Sequence, residues 1–288
     1  MLIPFRSVVS WLVVAVVIAV NLVDSKAIAQ QIESTPTAHD SIPKSAHSMG
    51  DWSNDSVQVS LDQRTLWLVP TKRGLAEKRF TIPRLCAPIR SVQWAASKDK
   101  APKVVPEIDH WVFSWKDIPT EDSLIKVVFD RKPVLLADCP VARPAGDGSV
   151  MLPAFSASTF GEKLRFEPQW YKNTVGYWVK PGDYATWKLK LKKPGQYSVA
   201  ILQGCGKGQG GSDAVITLHD GEQAIAELPF KTVDTGHFQN FRWNHLGLID
   251  VAKSGEFQLK IQPKRISKGA LFDVRAIHLV PQSKPSDR

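Results

Sequence analysis

Several motifs that would announce an enzyme are missing from this chain. There is no H-E-x-x-H of a zinc protease, no G-x-S-x-G nucleophile elbow and no EF-hand loop, so none of those chemistries has a local sequence basis. Helical periodicity is nearly absent, and no internal repeat is evident. Past the N-terminal region there is no second long apolar run, so the remainder is expected to be soluble. Cysteine is scarce: Cys86, Cys139 and Cys205 are the only three. Cys86 and Cys139 fall in the same half of the chain and can pair in an oxidising compartment. Cys205, between Gly204 and Gly206, is then the odd one out; its alternative is packing as a small buried hydrophobe.

What is present begins with a targeting pattern. Arg6 precedes an apolar run, Val8–Val20, and Ala27-Ile28-Ala29 follows as an A-x-A site. Residues 1–29 therefore read as a signal peptide, cleaved near Gln30. The run is short for a membrane span of about 20 residues, and no cysteine sits near the site to take a lipid. The expected mature protein is exported, periplasmic or extracellular, with no stable membrane span. The 37 basic and 28 acidic residues give a net charge of +9, and loss of Arg6, Asp24 and Lys26 leaves +8. For an exported chain that balance suits anionic polysaccharide or the cell envelope and not nucleic acid, although lysines on the polar faces of strands would serve solubility equally. No feature sets an oligomeric state.

The organisation reads as all-β. Residues 30–55 are polar and aperiodic, a flexible linker. A first small β-sandwich is expected over 56–141, with short strands at Val57–Leu61, Thr65–Val69, Lys78–Ile82, Arg90–Trp94, Val104–Glu107, Trp111–Trp115, Ile125–Phe129 and Val134–Leu136, all rich in β-branched and aromatic residues. A Pro/Gly-rich linker (142–148) follows Pro140. The second domain, 149–282, is expected to be a two-sheet antiparallel jelly roll, and 283–288 a tail. Its strands alternate clearly. Trp187, Leu189 and Leu191 face inward between Lys188 and Lys190, and Phe257, Leu259 and Ile261 between Gln258, Lys260 and Gln262. A one-residue slip would bury the lysines, so the register is strongly specified. Gln196–Gln203, Ala214–His219, Ala224–Phe230, Leu246–Val251 and Ala270–Val280 complete the set, separated by Pro194-Gly195, Asp220-Gly221 and Ser254-Gly255 turns.

Four local patterns bear on chemistry. Cys86-Ala87-Pro88-Ile89-Arg90 fits the C-x-P-x-R core of the sulfatase signature, but the Thr-Gly that follows it there is replaced by Ser91-Val92, so the fit is treated as coincidence. GCGKGQGGS (204–212) superficially resembles a phosphate loop, yet Lys207 is followed by Gly208 and the loop leads to a strand, which excludes a Walker loop. Its glycines allow close approach of the backbone to a neighbouring segment or a ligand. His237 and His245 form no recognisable metal pattern. Aromatics gather in EPQWYKNTVGYWVKPGD (167–183) and in TGHFQNFRWNH (235–245), expected to be loops. Neighbouring loop aromatics with amides at their rim suit a sugar platform; capping of the sandwich ends is the plain structural alternative.

Taken together, GYWVKPGDYATWKLKLKKPGQYSVAILQGCGKGQGGS, DTGHFQNFRW and FDVRAIHLVP resemble the galactose-binding-like β-sandwich, a carbohydrate-binding-module-like jelly roll appended to bacterial secreted sulfatases and α-L-fucosidases. More distantly, Ser91–Trp94, Trp115–Pro119 and Ile125–Leu135 resemble an α-L-fucosidase C-terminal β-domain. The resemblance implies an exported, non-catalytic carbohydrate-binding protein, for acidic or sulfated glycans, with a structural envelope module, an accessory part of a glycan-degrading system, or a hidden hydrolase as alternatives. The ligand-binding candidates read from these aromatic and amide-rich segments are Tyr177, Trp178, Lys207, His237, Phe238, Gln239, Asn240, Arg242 and Trp243, with no catalytic residue. No cofactor is expected. Structural calcium in such folds takes acids from the first strand and an aspartate from the last. Asp273 suits the latter, but Met151–Phe155 offers no acid.

Overall fold

Apolar residues recurring at every second position give this chain strands almost throughout. The computed structural model describes residues 38–95, 101–117 and 123–282. The expected signal peptide, the first part of the linker and the tail lie outside them. In chain order the strands are β1 (His47–Ser48), β2 (Val57–Asp62), β3 (Thr65–Pro70), β4 (Arg79–Pro83), β5 (Ile89–Trp94), β6 (Lys103–Pro106), β7 (His110–Ser114) and β8 (Ile125–Phe129). Then follow β9 (Val150–Pro153), β10 (Ser158–Phe160), β11 (Arg165–Glu167), β12 (Thr174–Gly176), β13 (Tyr184–Leu191), β14 (Gly195–Cys205), β15 (Asp213–Asp220), β16 (Gln223–Lys231), β17 (His237–Val251), β18 (Gly255–Arg265) and β19 (Asp273–Pro281).

Before residue 142 the sheets are β1-β2-β3-β8-β5 and β4-β7-β6. After it they are β10-β13-β18-β15-β16 and β11-β12-β19-β14-β17, the latter with β9 on β19. All pairings are antiparallel. In the second group the chain passes repeatedly from one sheet to the other, the connectivity of a jelly-roll sandwich. The described residues belong to one compact unit. No named strand of one segment pairs with one of the other, but a parallel bridge joins Ile89 to Gln169, Trp111 packs on Phe166 and one buried cluster runs through both.

The alternation is realised in the register. Trp187 lies opposite Leu259 and Leu189 opposite Phe257; all four are buried while Lys188 and Lys190 are exposed. Each such side chain contributes roughly 1.5–3 kcal/mol by leaving water. On the other sheet Val199, Ile201, Ile277 and Leu279 are fully buried in the same cluster.

Four elements differ from the sequence reading. Residues 38–55 do not behave as a flexible linker: β1 pairs with β2 and Trp52 is buried, because an indole gains more from the sheet than a polar tether would. Lys72–Glu77 forms a short helix, α1, capped by the Thr71 hydroxyl accepting from Gly74 N–H and closed by Lys78 in the left-handed region at φ 52°. Val134–Leu136 is no strand; only Leu135 bridges, to Leu85. Within the expected domain linker, Ala142 bridges Leu189 on the edge of β13.

The turn entering β13 is closed by one side chain. Buried Asp183 accepts from the backbone N–H groups of Glu162 (2.7 Å), Lys163 (3.1 Å) and Leu164 (3.0 Å), and Gly161 takes φ 113° beneath it. Removing the carboxylate strands three donors, and a charge-assisted hydrogen bond is worth about 1.5–3 kcal/mol. Asp183→Ala is therefore expected to lower the unfolding free energy by about 3 kcal/mol, read by urea denaturation.

Candidate functional site

The segment TGHFQNFRWNH is not a loop. From His237 onward it belongs to β17, which runs unbroken to Val251. Its departure from regular pairing explains why it looks irregular in sequence. Cys205 pairs with His237 and Gln203 with Arg242, so a single β14 residue, Gly204, faces the four residues Phe238–Phe241. Such bulges bend a strand and re-aim its side chains. Glycine is required opposite: a Cβ on Gly204 would stand 2.0 Å from the Phe238 carbonyl oxygen. A Cβ on Gly206 would stand 2.5 Å from the Phe238 ring. The close approach expected of the glycine loop is thus satisfied by the protein's own bulge.

Polar groups hold the bulge and the glycine loop together. Thr235 Oγ1 accepts from Cys205 N–H at 2.7 Å. Asn240 Nδ2 donates to the Thr235 carbonyl, and Gln239 N–H donates to His237 Nδ1 at 3.0 Å. The Asp234 carboxylate accepts from Gly208 N–H and, at 2.6 Å, from Gly236 N–H. Gln209 Oε1 accepts from Gly269 N–H and Ala270 N–H.

Beside the bulge lies a depression of about 340 Å³ lined by Gln203, Val233, Asp234, Thr235, Arg242, Trp243 and Asn244. Trp243 is 45% exposed, with its ring 6.1 Å from His278 on the neighbouring part of the sheet. Gln203 forms the buried floor: its Nε2 donates to the Val233 carbonyl at 2.7 Å and its Oε1 accepts from Asn244 Nδ2. Arg242 is exposed. The arrangement offers one open aromatic face, a guanidinium, amides and a carboxylate.

The remaining expected site residues fall elsewhere. Trp178 is 1% exposed, packs against Phe272 and donates Nε1 to the Asp183 carbonyl; it is core, because its indole closes the end of the sandwich, and has no free face for a ligand. Phe238 is half-buried against Gly206. Phe241 is covered by the Arg275 guanidinium at 3.7 Å, which also donates to the Tyr171 and Lys172 carbonyls. Tyr177 is exposed but lies under Arg165 at 3.7 Å, with φ 60°, and does not line the depression. Lys207, His237, Gln239 and Asn240 are exposed on the glycine loop and bulge. Sequence reading missed Gln203, Asp234 and Asn244; the signal for them is the pairing of β14 with β17, which brings distant positions side by side.

Asp273 opens β19 beside Glu167 of β11, both within 3 Å of a Cβ placed on Gly176. The Lys172 ammonium pairs with Glu167. Among the described residues no three His, Cys, Asp or Glu side chains are grouped to hold a metal, and with the lysine already against the acid this place does not fit calcium. Burial, and then the Glu167 charge, raise the Asp273 carboxyl well above the usual carboxylate range.

No family model and no curated protein matches the chain. Among solved structures it is similar to an α-L-fucosidase from Vibrio sp. strain EJY3 at 12% identity and TM-score 0.34, covering 82% of this chain and 42% of that one. It is also similar to the C-terminal family 6 carbohydrate-binding module of a laminarinase from Zobellia galactanivorans (16% identity, TM-score 0.37, 46% of this chain and 98% of that one). A family 35 carbohydrate-binding module from Clostridium thermocellum gives 16% identity and TM-score 0.36, with 46% and 98% covered. Likenesses this weak carry nothing about ligand or activity, and the chain spans under half of the fucosidase.

Two outcomes are expected. Gly204→Ala forces the bulge off β14 and costs roughly 2–4 kcal/mol of stability in chemical denaturation. An acid whose folded pKa exceeds its unfolded value holds its proton more tightly when folded, so stability falls as pH rises from about 4 through the raised Asp273 value. Asp273→Asn removes that decline, read as urea midpoints across pH.

Proposed function

We propose that this protein binds carbohydrate through the depression at the β17 bulge, as an exported, non-catalytic module. The observation that supports this reading is the exposed Trp243 ring, set beside Arg242, Asn244 and Asp234 on a floor fixed by Gln203. An indole face stacks on the apolar face of a pyranose, and amide and guanidinium groups at its rim take the hydroxyls. Arg242, with Lys207 on the adjacent loop and a charge of +8 once residues 1–29 are removed, suits glycans bearing carboxylate or sulfate. Affinity is modest, since a shallow site buries little surface.

A glycosidase of the usual kind needs two carboxylates facing one another across the bond, about 5–9.5 Å apart. Asp234 is the carboxylate among the lining residues, and its oxygens are taken up by Gly208 and Gly236 N–H groups. This favours binding over cleavage.

Affinity electrophoresis or calorimetry of the mature protein against neutral, uronate-bearing and sulfated polysaccharides tests the reading. Binding to at least one acidic polymer is expected, weakened by salt and about tenfold or more by Trp243→Ala, with unchanged thermal melting. No binding to any glycan would sink the proposal. A protein-docking face would then be the better account, supported by exposed Met151 and Leu248 on the same sheet as Trp243.

A further inference from the structure

Leu85 bridges Leu135, and Cys86 N–H donates to the Val134 carbonyl at 2.8 Å. Two tight turns, Asp138 N–H to the Leu135 carbonyl and Cys139 N–H to the Leu136 carbonyl, then fold the chain back. Cys139 thereby packs against the buried cluster that holds Cys86, and each thiol feels the other. Cys86 is buried and Cys139 half-buried, and both are free thiols in the structure.

The surroundings are electropositive. Arg84 is 2% exposed. Its Nη2 donates to the Phe155 carbonyl at 3.2 Å and its guanidinium lies 5.2 Å from the Phe166 ring. Its Nε and Nη1 are buried without a hydrogen-bond partner among the described residues. Burial pushes its pKa down to about 10. A buried guanidinium without a carboxylate is costly; the groups that offset it are the Cys86 and Cys139 thiols, while the Asp138 carboxylate also acts on Cys86. The neighbouring Cys86 thiol, then the charges of Arg84, Arg131 and Lys188, lower the Cys139 thiol against the opposing effect of its burial. Thiolates beside cations are the reactive form of cysteine.

We propose that Cys86 and Cys139 are a redox pair that closes to a disulfide by exchange with an oxidised disulfide carrier, fastening the segment between β8 and β9 to the entry of β5. Cys139, the more exposed of the two thiols, loses its proton and attacks one sulfur of the carrier disulfide, forming a mixed disulfide and releasing one carrier thiolate, which takes that proton. Cys86 then loses its proton and attacks the Cys139 sulfur, releasing the second carrier thiolate. Two electrons and two protons pass from the pair to the carrier, and Cys205, buried with its Sγ toward the Leu271 carbonyl, stays a thiol.

The test uses oxidised glutathione as the carrier. After oxidation and denaturation, maleimide labelling is expected to modify Cys205 alone, and peptide mass mapping to find Cys86 joined to Cys139 by a reducible bond. The oxidised form should melt on the order of 5 °C higher. Cys86→Ser should trap glutathione on Cys139, whereas Cys139→Ser should leave Cys86 unmodified. Three labelled thiols after oxidation, or a linkage through Cys205, would overturn the pair. Glutathione trapped on Cys86 in place of Cys139 would overturn the assigned order. If a serine variant does not fold, the peptide map of the unaltered protein decides.

Discussion

The absence of a side chain at Gly204 is the constraint on which the candidate site depends. β14 sits between β17 and β19 and must keep register with both. Toward β17 it does so at the site by letting four residues stand opposite one, besides a smaller shift at Val199/Ala200, and that crowding is possible because the Phe238 carbonyl occupies the place of a Cβ. The bulge then decides what each aromatic does. Phe238 turns onto the glycine loop, Phe241 meets Arg275, and Trp243 alone of the three keeps an open face. A regular strand would have sent alternate side chains into the core and left no depression.

The glycine loop and the bulge support one another. Asp234 and Thr235 accept from loop and strand N–H groups that would otherwise lack these partners, and Gln203 ties the floor to Val233. A site fixed this way is pre-organised, which lowers the entropic cost of ligand binding. The two-sheet core beneath supplies the rigidity: Trp187, Leu259, Ile201 and Ile277 are all buried from opposite sheets.

Much of this was legible in the sequence, and what was missed has a physical reason. The alternation at Trp187–Leu191 and Phe257–Ile261 specified strands and their inward faces, because a shifted register buries lysine. Position along the chain said nothing about which aromatic would be covered. Trp178 and Trp243 each sit among aromatic and polar neighbours, yet one closes the sandwich and the other stands outside it, a difference set by tertiary packing. TGHFQNFRWNH read as a loop since its amides and bulge break the period of two. The Lys72–Glu77 helix was too short to show a period, and its Thr71 cap was the one local signal. Arg84, buried without a carboxylate, had no sequence signature at all.

The most direct test of the site is amide hydrogen exchange of the protein with and without a sulfated polysaccharide. The account predicts ligand-dependent protection confined to Gln203, Val233–Thr235 and the β17 bulge through Asn244, with the opposite sheet unchanged. Protection centred elsewhere, or none at saturating polymer, would contradict it.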